Sequence, residues 1–485
     1  MSFLRRKTVK MPQDKFQMDM CSGPVFKQVL VFAFPLMLTN VLQILFHTTD
    51  LIVVGQFSSH EALAAIGCTG SLYNLFVNVF IGISVGTNVL VARYLGAKDP
   101  ESVRKTVHTA VAFAGLGGLV LLVVTLFAAE PLLLWMSTPP KILPKSALYL
   151  RVAFLGLPFL MLYNFGCSIL RAAGDTKRPF LFLVVGGSAN VLLNLFFVIV
   201  CRMDVAGVAI ATAVSHVITA GLILRTLHRT KSELRLDFRQ LRIDPKYLLD
   251  MLRIGVPAGV QGGCFSLANM VIQSSVNSFG PYAIAGIAAA GGVEGLLGTG
   301  STAFHFAAIS FVAQNLGGKH FKRARTCMIS CYVYSTLCAF VLGYLFLLFG
   351  KPLLRLYNSD PNVIEWGLLR MKIMFTTYFL LGFMNASTGC LRGLGYSLLS
   401  SILTLSGACA LRLFWVWAVL PHWKTMTCLL ISYPVSWTMV GTLATCAVIL
   451  IYRRIVRKQC ARAVEWSKLG PGIPRGFHSS PGNTR

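Results

Sequence analysis

Long apolar runs, bounded by short polar or basic stretches, recur along almost the whole chain. "AVAFAGLGGLVLLVVTLFAA" (Ala110 to Ala129) contains no charge, and "FLFLVVGGSANVLLNLFFVIV" (Phe180 to Val200) has only amides as strongly polar groups. About 20 such residues cross a bilayer as helix, whereas a membrane β-barrel needs short alternating segments. The pattern predicts twelve spans, at 29–53, 63–92, 106–128, 146–170, 179–200, 205–227, 249–277, 282–314, 327–349, 363–391, 398–420 and 427–452. The expected fold class is an all-α polytopic membrane protein.

Composition sharpens this reading. The 485 residues are 55% hydrophobic and only 13% charged, with mean hydropathy +0.67. Soluble domains carry about 25% charged residues. "MSFLRRKTVK" is basic, but no compact apolar core with a cleavage site follows it, so the first span is expected to be its own insertion signal. The formal charge of +27 suggests nucleic acid until its positions are read. Basic residues cluster in alternate loops, at Arg93 to Lys105, Arg171 to Arg178, Arg225 to Lys246, Lys319 to Arg325 and Arg453 to Lys458. The stretches from Phe57 to Tyr73 and from Ser278 to Ser301 have none. That is the positive-inside pattern, so both termini are expected to be cytoplasmic, in the plasma (inner) membrane of a bacterial cell, with lipid and not nucleic acid as partner. The 13 cysteines show no metal-ligand spacing and read as small apolar fillers.

The two halves repeat. "ARYLGAK" (Ala92 to Lys98) aligns with "AQNLGGK" (Ala313 to Lys319) at an offset of 221. The same offset pairs Pro131-Leu132-Leu133 with Pro352-Leu353-Leu354, and "LRAAG" (Leu170 to Gly174) with "LRGLG" (Leu391 to Gly395). Six spans per copy put both copies in the same orientation, related by an axis along the membrane normal. The expected organisation is a cytoplasmic segment 1–28, an N-lobe 29–228, a cytoplasmic inter-lobe linker 229–247, a C-lobe 248–453 and a disordered cytoplasmic tail 454–485.

Polar residues inside the spans carry the candidate chemistry. Asn40, Gln43, His47 and Asp50 are spaced for one helix face, below Pro35, which is expected to bend its helix, as is Pro257 in the second copy. An ionised acid in hydrocarbon costs about 3 kcal/mol on insertion scales, so Asp50 reads as functional and inward-facing. Asn74, Asn78 and Ser215 read as helix-packing groups. The expected cation-coupling set of the N-lobe is Asp50, Asn190, Asn194, Thr212, Asn164 and His47. In the C-lobe, Gln261, Asn269, Gln273, Glu294 and Arg412 are candidates for a substrate cavity, with Arg412 either neutralising Glu294 in a static pair or repelling cations from that lobe. Neither a GxxxxGK[ST] loop nor an HExxH or CxxCH motif occurs, so no ATP site, metal, cofactor or enzymatic activity is expected.

"FPLMLTNVLQILFHTTDLIVVGQF", "VARYLGAKD", "ILRAAGDTKRP", "ANVLLNLFFV", "RIGVPAGVQ", "VEGLLGTGSTAF" and "SFVAQNLGGK" together resemble, in order, the multidrug and toxic compound extrusion (MATE) family. The resemblance implies two six-helix lobes in a V that alternates between outward and inward openings, exporting organic cations in exchange for H⁺ or Na⁺. In the family the first-span acid, here Asp50, binds the coupling cation. One branch adds a fifth-span Asn and Asp four apart, where this chain has Asn190 and Asn194. Another has a seventh-span acid, absent from "QGGCFSLAN" (Gln261 to Asn269), and Glu294 matches an eighth-span acid of some relatives. The expected function is secondary active efflux of amphiphilic, mostly cationic compounds by a monomer. The alternative is a flippase for a lipid or lipid-linked saccharide.

Overall fold

A computed structural model describes residues 15–57, 60–136 and 138–468. The described residues form twelve successive helical spans and no strand. The first six are α1 (Val25–Phe57), α2 (His60–Gly96), α3 (Pro100–Trp135), α4 (Leu143–Phe154 and Leu157–Ala172), α5 (Lys177–Val200) and α6 (Asp204–Arg229). The second six are α7 (Pro245–Asn277), α8 (Pro281–Gly317), α9 (Phe321–Leu348), α10 (Pro361–Thr376 and Tyr378–Gly393), α11 (Ser397–Val419) and α12 (Met426–Lys468). Several starts are written in the sequence as Asp-Pro. Asp99, Asp244 and Asp360 cap α3, α7 and α10 by accepting from Ser102, Lys246 and Asn362 backbone N–H groups. The proline that follows occupies the first turn, where no backbone donor is needed.

The repeat is visible in the backbone. Lys98 and Lys319, 221 residues apart, both take a left-handed conformation, with φ of 55° and 59°. Gly174 and Gly395 do so with φ of 81° and 91°. A side chain disfavours this region, so two matched pairs mark two copies of one fold. The fourth span of each copy is also bent, by 45° in α4 and 49° in α10.

Nine helices are long and apolar enough to cross a bilayer among the described residues, eleven with each bent pair counted as one span. The exception to the predicted twelve is α7, which has 33 residues but carries Gln261, Asn269, Gln273 and Asn277. Part of its surface faces protein rather than lipid. Gly255 and Gly259 of α7 lie against the α2 backbone at Ile83 and Val79, and Gly82 and Gly86 of α2 face α7 in return. Small residues permit this close approach of two helices.

The lobes meet at the end of the molecule that carries both described chain ends. There Ser310 donates to Asn88 at 3.0 Å, Arg93 donates to the Leu394 carbonyl, and Gly96 and Gly317 bring α2 and α8 together. The first half of α1 joins this seam, packing Phe32 edge-on against Phe311. Its second half leaves the seam, packing Val53 and Val54 against Val198, Val205 and Val208 of the N-lobe. Helix α1 runs unbroken through Pro35, whose carbonyl accepts from Thr39.

The linker is tied to the protein: Leu234 and Leu236 are buried in the core, and His108 of α3 accepts from the Asp237 amide. One boundary differs from expectation. Helix α12 continues to Lys468, so residues 454–468 of the expected tail are helical. Residues 1–14 and 469–485, the outer parts of the two expected terminal segments, lie outside the described residues. Residues 15–24 form a strap in which Met20 is wholly buried and Arg323 holds the carbonyls of Met20, Ser22 and Gly23. The twelve cysteines with described side chains are all unpaired.

Candidate functional site

Asp50 sits in the second half of α1, against α5. Its carboxylate accepts a hydrogen bond from the Asn194 side-chain amide. That amide also donates to Asn190 Oδ1 at 3.3 Å, and Asn190 donates to Thr212 Oγ1 of α6 at 3.4 Å. A chain of polar groups thus runs Asp50–Asn194–Asn190–Thr212 across three helices. Asn190 and Asn194 lie four apart, so they share one face of α5, and both are buried. No arginine or lysine lies within ion-pair distance of Asp50 among the described residues. The amide oxygen of Asn194 is buried without any partner.

Four of the six expected N-lobe residues are therefore brought together, and two are not. Asn164 donates to the Leu160 carbonyl of its own helix, and no hydrogen bond links it to Asp50. His47 lines a different space. With Asn40, Gln43, Asn74, Glu294 and Arg370 it borders a cavity of about 620 Å³ between the lobes. The expected single stripe on α1 is split along its length, because its last member, Asp50, meets α5 instead of the cavity. Asn40, Gln43 and His47 point into the cavity, and Asp50 points past its edge into the N-lobe.

In the C-lobe the acid has a partner, though not Arg412. Arg370 of α10 donates to Glu294 Oε2 through Nη2 at 2.7 Å and Nε at 3.2 Å. Two bonds to one oxygen from a mostly buried guanidinium neutralise the acid in place. Arg412 instead donates Nε to Ser436 at 2.9 Å and lies 4.1 Å over the Tyr433 ring. Both arginines border a second cavity of about 340 Å³ inside the C-lobe, together with Asn269 and Gln273. Gln261 belongs to neither arrangement. It accepts from Arg392, which also faces His305, near the seam. Arg370 has a signal in the sequence, since a charge inside the predicted tenth span needs a partner. Among the packing groups, Ser215 donates to the Gly186 carbonyl and joins α6 to α5 as expected. Asn74 lines the cavity between the lobes instead.

A family model described as MatE matches residues 35–197 and 257–417, one segment in each lobe and together most of the chain. The chain belongs to the MatE family. Among curated proteins it is 27% identical over 388 residues to the "Probable multidrug resistance protein YoeA" of Bacillus subtilis, covering 79% of this chain and 84% of that one. It is 26% identical over 397 residues to the "Probable multidrug resistance protein NorM" of Thermotoga maritima, covering 80% and 84%. Among solved structures, "Outward-facing conformation of a multidrug resistance MATE family transporter of the MOP superfamily" superposes with a TM-score of 0.85 at 19% identity, covering 92% of this chain and all of that one. The fold of two six-helix lobes is thus shared, and the chain is a multi-pass membrane protein of a transporter family.

Proposed function

We propose that this MatE protein is a secondary active exporter of small organic amphiphiles, driven by H⁺ or Na⁺ entering through Asp50. One observation carries the reading: a carboxylate inside a membrane span has an amide and no cation as its partner among the described residues. An unpaired charge there is costly, so a state that adds a proton or Na⁺ is favoured. The orphaned Asn194 oxygen beside it offers a second ligand for Na⁺, or an acceptor for a protonated carboxyl. The names of the curated relatives support multidrug compounds as cargo.

The place where the lobes touch supports alternating access. The cavity between them lies on one side of the glycine-rich seam, and the basic loops lie on the other. With both chain ends at the cytoplasmic face, this arrangement is open outward. Loading Asp50 removes its charge and changes what the second half of α1 gains from α5. The first half of α1 belongs to the seam, so a shift about Pro35 couples loading to release of substrate. Returning the cation inward restores the Asp50–Asn194 contact. The exporter acts as a monomer, with both lobes and both sites in one chain.

The test is efflux from cells and into everted vesicles by Asp50→Asn. The variant is expected to reach the membrane folded and to lose gradient-driven efflux. Wild-type efflux from it would refute the proposal.

A further inference from the structure

The C-lobe cavity holds a guanidinium that the coupling mechanism does not use. Arg412 is 1% exposed, yet only its Nε is bonded, to Ser436. Neither of its terminal nitrogens has a hydrogen-bond partner among the described residues, and no carboxylate is within ion-pair distance. Both nitrogens belong to a side chain that borders the cavity. Glu294, the one acid on the wall, is already taken by Arg370. The cavity therefore carries a net positive charge in a region where charge is expensive. Three rings, Phe265, Tyr433 and Trp437, share the rest of the wall with aliphatic side chains and the amides of Asn269 and Gln273. The Arg412 guanidinium lies over Tyr433 at 4.1 Å and over Phe265 at 5.9 Å, and Trp437 stands edge-on to Tyr433. The backbone at Arg412 is unusual too. A three-residue α-helical turn there separates π-helical stretches at Leu405–Leu411 and Trp415–Val419. Such π-bulges recur at functional sites.

We propose that this cavity binds the anionic head group of an aromatic substrate, a carboxylate or a phosphate. Arg412 is the anchor and the rings of Phe265, Tyr433 and Trp437 form the stacking walls. A planar guanidinium whose two terminal nitrogens are both free suits either group, and stacked rings are tolerant of ring shape. The volume, about 340 Å³, is enough for a fused two-ring compound. The exporter would then accept anions or zwitterions as well as the cationic compounds expected from Asp50. The inference deepens the exporter reading but is tested by equilibrium binding, which needs no transport.

Purified full-length protein in nanodiscs is titrated by calorimetry with 2-naphthoate, 1-naphthyl phosphate, 2-naphthylmethanol and 2-naphthylmethylammonium. At least one of the two anions is expected to bind about tenfold or more tightly than the neutral alcohol, since hydrogen bonds to a charged group contribute that much. The tighter anion identifies the head group. Arg412→Gln is expected to remove the preference. Asn269→Asp, which keeps Arg412 and sets a carboxylate on the same wall, is expected to remove it as well, and so covers failure of the first variant to fold. Equal binding of all four probes, tighter binding of the ammonium, or an anion preference that survives Asn269→Asp would overturn the inference. Loss of efflux with intact anion preference would instead count against the exporter reading alone.

Discussion

At the scale of single residues, the two buried acids have opposite fates. Asp50 has an amide partner and stays available to a cation, while Glu294 has a guanidinium and does not. Asn194→Ala is expected to leave protein in the membrane but weaken coupling, seen as a higher external H⁺ or Na⁺ concentration for half-maximal efflux. The pair in the C-lobe makes a different prediction. Arg370→Gln leaves Glu294 unpaired and is expected to destabilise by roughly 1–3 kcal/mol, less than the roughly 3–5 kcal/mol of a fully buried pair, because both groups touch the cavity. Adding Glu294→Gln is expected to restore most of that, measured as the midpoint of thermal unfolding in detergent. Asp50, Asn190 and Asn194 are legible in the sequence because polar groups in apolar runs must find partners. Which arginine meets Glu294 is not, because residues 294, 370 and 412 lie on three helices and their pairing is decided by packing. Spacing groups His47 with Asp50, yet packing puts them in two compartments, His47 on the cavity between the lobes and Asp50 against Asn194.

At the scale of helices, the seam is built from glycine. Gly82 and Gly86 of α2 meet the backbone of α7 with no room for a Cβ. Gly86→Val is expected to prop the lobes apart at the basic end and abolish efflux. Spin labels on the two lobes near that end would show a longer separation than in the wild type. An unchanged distance would contradict the packing described. Most helices can be read from apolar length and from Asp-Pro starts, because lipid demands one and capping rewards the other. Helix α7 is less apolar because Asn269 and Gln273 border the C-lobe cavity and not lipid, and periodicity alone does not say what a face meets. The linker's anchorage is hidden for a related reason: its basic residues suit a lipid surface, while Leu234 and Leu236 tie it to the core.

At the scale of the whole molecule, the repeat sets the machine. Two copies offset by 221 residues share the same left-handed turns and the same bent fourth span, yet their interiors have diverged into an acidic N-lobe site and a basic C-lobe cavity. Opening at the basic end requires the seam to part. Cysteines placed at Asn88 and Ser310, whose side chains touch at 3.0 Å, are expected to cross-link under oxidation and stop efflux until reduced, in a background without the native cysteines. The repeat is plain in the sequence because motif order and offset survive divergence, whereas the closed state of the seam is a property of packing. The central claim is that cation loading at Asp50 drives export. The most direct measurement is substrate uptake into everted vesicles with a pH gradient and a Na⁺ gradient imposed separately, for the wild type and Asp50→Asn. One of the two gradients is expected to drive uptake by the wild type and neither by the variant. Uptake by Asp50→Asn equal to the wild type under either gradient would contradict the account.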